Sequence, residues 1–209
     1  MVSGQYYEYD NIGQFFNDRY RRGDEVIAEK KLYAIDLLEQ QMPPDSSIKI
    51  LDLGCGTGKI TSYLKEKGYD VVGADISSVA IEKLREKGID GIVHDIKDPL
   101  LSEDSQFDVV FATDLLELVP DIYLFLSEVR RVTKNNGLFI FTMPNLSWLP
   151  YRIKSLLGKS SSDLMPPSHC RFWISSAVNE FLNNQYYQMV VLGGGGCFAW
   201  QDIWGILKD

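Results

Sequence analysis

The 209-residue chain has only three cysteines, Cys55, Cys170 and Cys197, and two histidines, His94 and His169. An odd, scattered cysteine set does not make a disulfide framework. With no Cys-x-x-Cys or His-Glu-x-x-His spacing, no metal site is expected. No apolar run reaches the ~18 residues of a membrane span. The polar, tyrosine-rich start, Met1 to Asp10, is not a signal peptide, so a soluble, cytoplasmic protein is the expectation. Positive charge is scarce as well: 21 Lys and Arg face 29 Asp and Glu, a net charge of −8. Such a chain lacks the electrostatic footprint of a nucleic-acid binder.

What the chain does have is an ordinary globular balance, 45% apolar and 24% charged, and a length suited to one compact domain. The first residues are aromatic without a clean period. Ala28, Leu32, Ile35, Leu38 and Met42 then recur at helical steps, and Pro43-Pro44 ends the helix. From Ile48 onward, short apolar runs alternate with amphipathic stretches. Strands are expected at Ile48 to Leu53, Val71 to Ala74, Gly91 to His94, Phe107 to Ala112 and Leu138 to Met143, the last entered through a turn at Asn135-Asn136-Gly137. Helices between them start at the capping residues Ser77 and Asp121 and stop at Gly68 and Gly88. After an irregular stretch come an amphipathic segment, Trp148 to Leu157, a helix, Ser175 to Asn184, and a strand, Tyr186 to Leu192. This alternation predicts an α/β fold, Rossmann-like and doubly wound, with a mostly parallel sheet covered by helices on both faces.

Open α/β sheets bind ligands outside the carboxyl ends of their strands. The first strand ends Leu51-Asp52-Leu53-Gly54-Cys55-Gly56-Thr57-Gly58. Alternate glycines let backbone approach a ligand closely. A dinucleotide loop fits poorly, because Lys59 stands where its third glycine belongs. Asp52 would also sit near a pyrophosphate and oppose it, whereas it would attract a cationic ligand. The loop therefore suits a nucleoside bearing positive charge. Asp75, ending the second strand, can accept from both ribose hydroxyls or cap the following helix. Asp95, after the third strand, can accept from an adenine amine with Ile76 and Ile96 packing on the ring, or be a solvated loop acid.

From about Ile48 to Asn145 the chain resembles the class I S-adenosylmethionine-dependent methyltransferases. The resemblance rests on Ile50-Leu-Asp-Leu-Gly-Cys-Gly-Thr-Gly58, Asp75, Asp95 and Phe107-Asp-Val-Val-Phe-Ala-Thr-Asp114, and extends weakly through His169-Cys-Arg-Phe172. It implies a seven-stranded sheet with one antiparallel strand and S-adenosyl-L-methionine as cofactor. It further implies that Asp52, Gly54 and Gly56 face the methionine part, Asp75 the ribose, and Asp95 with Ile96 the adenine, while Cys55 fills the wall of the cofactor loop. Thr113 and Asp114 would flank the methyl group. On this reading residues 1–44 are a helical lid, 45–143 the cofactor-binding core, and 144–209 a substrate cap with the C-terminal strands. The chain departs from the family in reading Glu117-Leu118 where Glu-His is common, and the final strand pair is expected to be short or formed by Phe198 to Ile206.

Methyl transfer from a sulfonium is an in-line displacement that leaves the protein mainly to align and desolvate the acceptor. His169 is the best-placed candidate base, or else pins a loop. Asp114, Glu117 and Trp148 are candidate substrate contacts. Thr113-Asp114-Leu115-Leu116 is not the Asp/Asn-Pro-Pro-aromatic motif of base amino-methyltransferases, and no Pro-Cys pair for pyrimidine carbon occurs. A small-molecule acceptor is expected, apolar or lipid- or sugar-linked, methylated on oxygen, nitrogen or carbon by a monomer or homodimer. Trp148 to Leu157, with Arg152, Lys154 and Lys159, can line an apolar pocket, touch a membrane surface or pack on the sheet. A non-catalytic S-adenosylmethionine-binding domain and a nicotinamide oxidoreductase remain as alternatives.

Overall fold

Along the central strands apolar residues alternate between two faces, and the two sets fill two separate cores. Ile50, Val109, Phe111, Leu138 and Ile140 point one way, while Leu51, Leu53, Val110, Ala112, Phe139 and Phe141 point the other. The first set packs under Ala34, Ile35, Leu37 and Leu38 of α2 and Ile60 and Leu64 of α3. The second packs under Ile122, Phe125, Leu126, Val129 and Val132 of α5. Each such side chain contributes about 1.5–3 kcal/mol on burial. A sheet apolar on both faces must be covered on both, which is the doubly wound arrangement.

The computed structural model describes residues 12–23, 29–146, 148–160, 169–171, 174, 177–178, 180–181, 188–193 and 202–208. In chain order the elements are α1 (Ile12–Arg22), α2 (Glu29–Gln41), β1 (Lys49–Leu53), α3 (Lys59–Lys67), β2 (Asp70–Asp75), α4 (Ser78–Glu86), β3 (Gly91–Val93), β4 (Phe107–Thr113), α5 (Ile122–Val132), β5 (Thr133–Pro144), α6 (Leu149–Leu156), β6 (Gln188–Gly193) and β7 (Asp202–Lys208). A short 3-10 turn, Leu116–Leu118, follows β4. The strands form a seven-stranded sheet in the order β3-β2-β1-β4-β5-β7-β6. Neighbours from β3 to β5 are parallel, and β7 runs antiparallel to both β5 and β6. The order reverses between β1 and β4, so the ligand crevice lies at the carboxyl ends of these two strands.

Local chemistry sets the helix boundaries. The Ser77 hydroxyl accepts from the Ala80 N–H at the start of α4, and Asp121 accepts from Tyr123 and Leu124 at the start of α5. One expectation shifts. Asn135-Asn136-Gly137 is not a turn before the fifth strand but part of β5 itself. Asn136 takes φ +64°, and the pairing slips between Phe107 and Val109, so the strand absorbs the kink as an irregularity rather than ending there. Of the stretch Phe198 to Ile206, residues 202–206 lie in the last strand, Asp202–Lys208, and 198–201 lie outside the described residues. Of the expected helix Ser175 to Asn184, residues 177–178 and 180–181 are helical and the rest lie outside the described residues, as do Gly194, Gly195, Gly196 and Cys197.

Leu84 of α4 is wholly buried and reaches three glycines from three different segments. A Cβ at Gly73 would stand 2.6 Å from Leu84 Cδ2 and 2.8 Å from Cys55 Sγ, and one at Gly91 would stand 2.9 Å from Leu84 Cδ2. A Cβ at Gly58 would overlap Leu84 Cδ1 outright, and φ +76° there is left-handed besides. The socket lets α4 approach β2, β3 and the loop after β1 more closely than side chains would permit. Gly73→Ala should therefore lower stability by about 1–3 kcal/mol, an overpacking cost. In the Leu84→Ala background that cost should fall by ~1 kcal/mol or more, because residues in contact couple. Urea unfolding of the double-mutant cycle reads both; additive penalties would separate Gly73 from the socket.

Candidate functional site

Beyond β1 the chain turns back through Gly54, Gly56 and Gly58, whose φ angles are +69°, +55° and +76°. Side chains with a Cβ rarely adopt this left-handed backbone. The turn is stitched to the end of β2. Gly54 and Cys55 donate their N–H groups to the Ala74 carbonyl at 2.8 and 3.1 Å. Gly56 donates to Asp75 Oδ2 at 2.9 Å, and Ser77 donates to Asp75 Oδ1 at 2.8 Å. Both Asp75 oxygens are thus aimed by backbone.

The other expected acids hold different stations along the same edge. Asp52, one residue from the end of β1, is buried and accepts the Thr61 hydroxyl from α3 at 2.6 Å. Asp95 follows β3 and folds onto its own turn, accepting from the Lys97 N–H at 3.0 Å and pairing with Lys97 Nζ at 3.4 Å. Since β3, β2 and β1 are neighbours, Asp95, Asp75 and Asp52 succeed one another at adjacent strand ends. Ile96 packs at the margin of the α5-side core, and Cys55 is buried against Gly73 and α4.

The α1 helix lies across this edge. Gly13 rests against Ile76, and Asn17 Oδ1 accepts from the Ser77 hydroxyl at 2.6 Å and the Val79 N–H at 3.3 Å. Lys83 of α4 reaches the Tyr20 carbonyl at 2.5 Å. Asn17 was not a sequence candidate. It sits in an aromatic stretch with no helical period and carries no spacing signal, so only its contact with Ser77 discloses it.

A second cluster gathers past β4. Thr113 is buried at the strand end, and Asp114 takes φ +53° while its N–H donates to the Thr142 carbonyl at 3.0 Å. The Thr142 hydroxyl donates to Asp114 Oδ1 at 3.2 Å. Asp tolerates this left-handed backbone better than most residues. Glu117, in the 3-10 turn, is 2% exposed, and its Oε1 lies 3.5 Å from His169 Nε2. The Glu117 carbonyl accepts the N–H groups of Cys170 and Arg171, which dock that segment on the turn. Burial pushes the Glu117 carboxyl above its ordinary range; Asp114 adds to the rise and the His169 hydrogen bond opposes it. Burial likewise raises the Cys170 thiol, whose Sγ donates to the Glu117 and Val119 carbonyls, so this cysteine is held neutral. Asp114, Glu117 and His169 therefore form one group. Trp148 precedes α6, edge-on to Tyr151 at 5.2 Å. Among the described residues no cluster of His, Cys, Asp and Glu is arranged to hold a metal ion.

Residues 51–141 match a family model described as a methyltransferase domain. The chain is 31% identical over 150 residues to the ubiquinone biosynthesis O-methyltransferase of Methylococcus capsulatus, an alignment covering 67% of this chain and 63% of the relative. It is 34% identical over 105 residues to the enzyme of the same name from Pelagibacter ubique, covering 48% and 44%. The chain spans between 51% and 63% of the length of the first curated relatives it matches. In fold it is similar to a Burkholderia thailandensis 1,6-didemethyltoxoflavin-N1-methyltransferase with bound S-adenosylhomocysteine, at a TM-score of 0.72 and 14% identity over 95% of this chain and 87% of that one. A Thermotoga maritima protein described as a possible histamine N-methyltransferase gives a TM-score of 0.71 and 16% identity over 96% and 99%.

Glu117 makes folding depend on pH in an unusual direction. A carboxyl whose folded pKa is raised binds its proton more tightly folded than unfolded, so it adds stability below its ordinary value of 4.5 and that stability is lost as pH rises through the folded pKa. Glu117→Gln removes the effect. The melting temperature of the variant relative to the parent should climb as pH rises above 4.5. A constant difference across that range would mean that the carboxyl is not desolvated.

Proposed function

We propose that the protein is a class I, S-adenosylmethionine-dependent methyltransferase, a reading supported by the match of residues 51–141 to a methyltransferase domain, and that it transfers a methyl group to a hydroxyl of a small molecule. The described site fits the cofactor on its own chemistry. The left-handed loop after β1 presents backbone at the strand end, and acceptors stand where a nucleoside with a cationic tail offers donors. In this reading Asp75, aimed by the Gly56 and Ser77 N–H groups, receives the ribose hydroxyls, and Asp95 with Ile96 and Ile76 receives the adenine. Gly54, Cys55 and Gly56 line the methionine part, and Asp52, steadied by Thr61, sets a negative charge behind the cationic end. Thr113 closes the floor beside the methyl group. The chain from α1 to β7 works as one unit, with α1 the roof that Asn17 ties to Ser77.

The bound cofactor supplies a methyl group already activated on a sulfonium, so the chain's own task is to align the acceptor and manage its proton. A hydroxyl must lose its proton as the new C–O bond forms. His169 is the group for that step, and the observation that carries the reading is its pairing with buried Glu117 just past β4. A carboxylate beside Nε2 favours the tautomer protonated there and makes Nδ1 the basic nitrogen. It also stabilises the imidazolium that forms, in a site dry enough for the interaction to count. The chain thus replaces the family's adjacent Glu-His with Glu117 and a histidine brought back from a later segment. The names of the O-methyltransferase relatives support an oxygen acceptor, and Asp114 and Trp148 are its candidate contacts. An apolar or lipid-linked acceptor is in keeping with those relatives and with the apolar surface near Trp148.

Two measurements test this. Asp75→Ala should weaken S-adenosylhomocysteine binding by about 1–3 kcal/mol in calorimetry, since a hydrogen-bonded charge is lost; unchanged affinity would put the ribose elsewhere. Glu117→Gln should lower kcat by ~10–100-fold with cofactor affinity kept, assayed with a labelled methyl donor against phenolic acceptors. Cofactor binding without transfer to any acceptor would identify a binding domain instead.

A further inference from the structure

The α6 helix packs unlike every other helix of the fold described above. With about 100° between successive residues, Leu149, Ile153, Leu156 and Leu157 share one stripe, the pattern of a core-facing helix. Yet no residue of α6 is buried. Ile153 is 48% exposed, Leu156 87% and Leu157 77%, so the apolar stripe faces solvent. Arg152 and Lys154 border the stripe on its two sides, both exposed, and Lys159 follows at the helix end. From Asn145 to Ser160 the chain carries these three cations and no acid, inside a protein of net charge −8.

We propose that α6 is a membrane-docking helix that lies in the interface of an anionic lipid bilayer. An apolar stripe flanked by cations is the arrangement that lets leucines enter the acyl boundary while Lys and Arg extend toward headgroups. The charge pattern selects the occupant. Lipid phosphates attract this one segment, and the acidic remainder of the surface is repelled, which fixes which face meets the bilayer. Trp148, stacked edge-on with Tyr151 at the head of the helix, sits where amphipathic aromatics anchor at a membrane interface. No described helix is long and apolar enough to cross a membrane, so the contact is with the surface. Position gives the docking a use. Since α6 follows β5, it leaves from the carboxyl edge of the sheet, the edge that carries Asp75 and Glu117. A docked α6 would hold that edge against the bilayer, where an acceptor with a lipid tail resides. This last step rests on the methyl-transfer reading; the docking itself does not.

The test is sedimentation of the full chain with vesicles of phosphatidylcholine alone and with 30 mol% phosphatidylglycerol, at about 0.1 M salt, where the Debye length is ~10 Å. The expected result is at least five-fold more protein bound to the anionic vesicles. Leu156→Ser with Leu157→Ser should abolish the binding, and Arg152→Gln with Lys154→Gln should reduce it about ten-fold and flatten its salt dependence. Far-UV circular dichroism and S-adenosylhomocysteine affinity, both expected unchanged, keep misfolding from imitating the result. Equal binding to both vesicle types, or leucine variants that bind like the parent, would overturn the proposal. So would a dimer in light scattering that the leucine substitutions dissolve, because the stripe would then serve a second copy. Vesicle binding is read without any acceptor, so it stands or fails apart from catalysis.

Discussion

Leu84 is the contact on which the site's construction depends. Three glycines from the loop after β1, from β2 and from β3 surround one leucine of α4. Close packing makes such a socket sensitive to a single methyl group. Its consequence is geometric. With α4 drawn against β2, the start of that helix lies directly past the β2 end, and Ser77 can cap it while giving its N–H to Asp75. The loop after β1 is held from the same side, through Cys55 against Gly73 and through the Ala74 carbonyl. Asp75 is therefore aimed by two segments that meet only because a third, α4, is packed without a gap. A carboxylate fixed by two backbone donors needs no reorganisation when a ligand arrives.

The second half of the edge is built on a different principle. Past β4 nothing is glycine-rich; the geometry comes from Asp114 in a left-handed conformation and from Glu117 buried in a 3-10 turn. Burial of Glu117 is costly for a charge and is compensated in part by His169. The two halves thus divide the work by their electrostatics. Asp75, slightly exposed and satisfied by backbone, is suited to accept neutral donors; Glu117, dry and beside a titratable ring, is suited to share a proton. A fold that only bound a nucleoside would have no need of the second arrangement.

The fold was legible because both its signals are local. The short apolar runs of β1, β4 and β5 and the caps at Ser77 and Asp121 are written in adjacent residues, and so are the glycines of the loop. Asn136 was misread because Asn-Asn-Gly is turn chemistry that a long strand can also carry as an irregularity. The placing of candidate residues was legible where one strand end supplies one residue, as with Asp52, Asp75 and Asp95 at adjacent strand ends. It was not legible where distant segments meet. Gly73 and Gly91 look like ordinary strand glycines until Leu84 is seen between them. Glu117 and His169 are 52 positions apart in the chain, and Asn17 meets Ser77 across 60. Spacing alone carries no information about such pairs.

The same limit explains α6. In sequence it is an amphipathic helix like α5, with an apolar stripe at helical spacing, and that pattern is equally compatible with packing on the sheet, lining a pocket or meeting lipid. Hydrophobic periodicity reports that a stripe must be covered, not by what. The sheet is already covered on the α5 side by Ile122, Phe125, Leu126, Val129 and Val132, and on the other by α2 and α3. An eight-residue helix that adds nothing to either core while displaying Leu156 and Leu157 would expose apolar area at a cost to solubility unless something takes it up. Cations on both borders of the stripe narrow that something to an anionic surface with an apolar interior, the description of a charged bilayer.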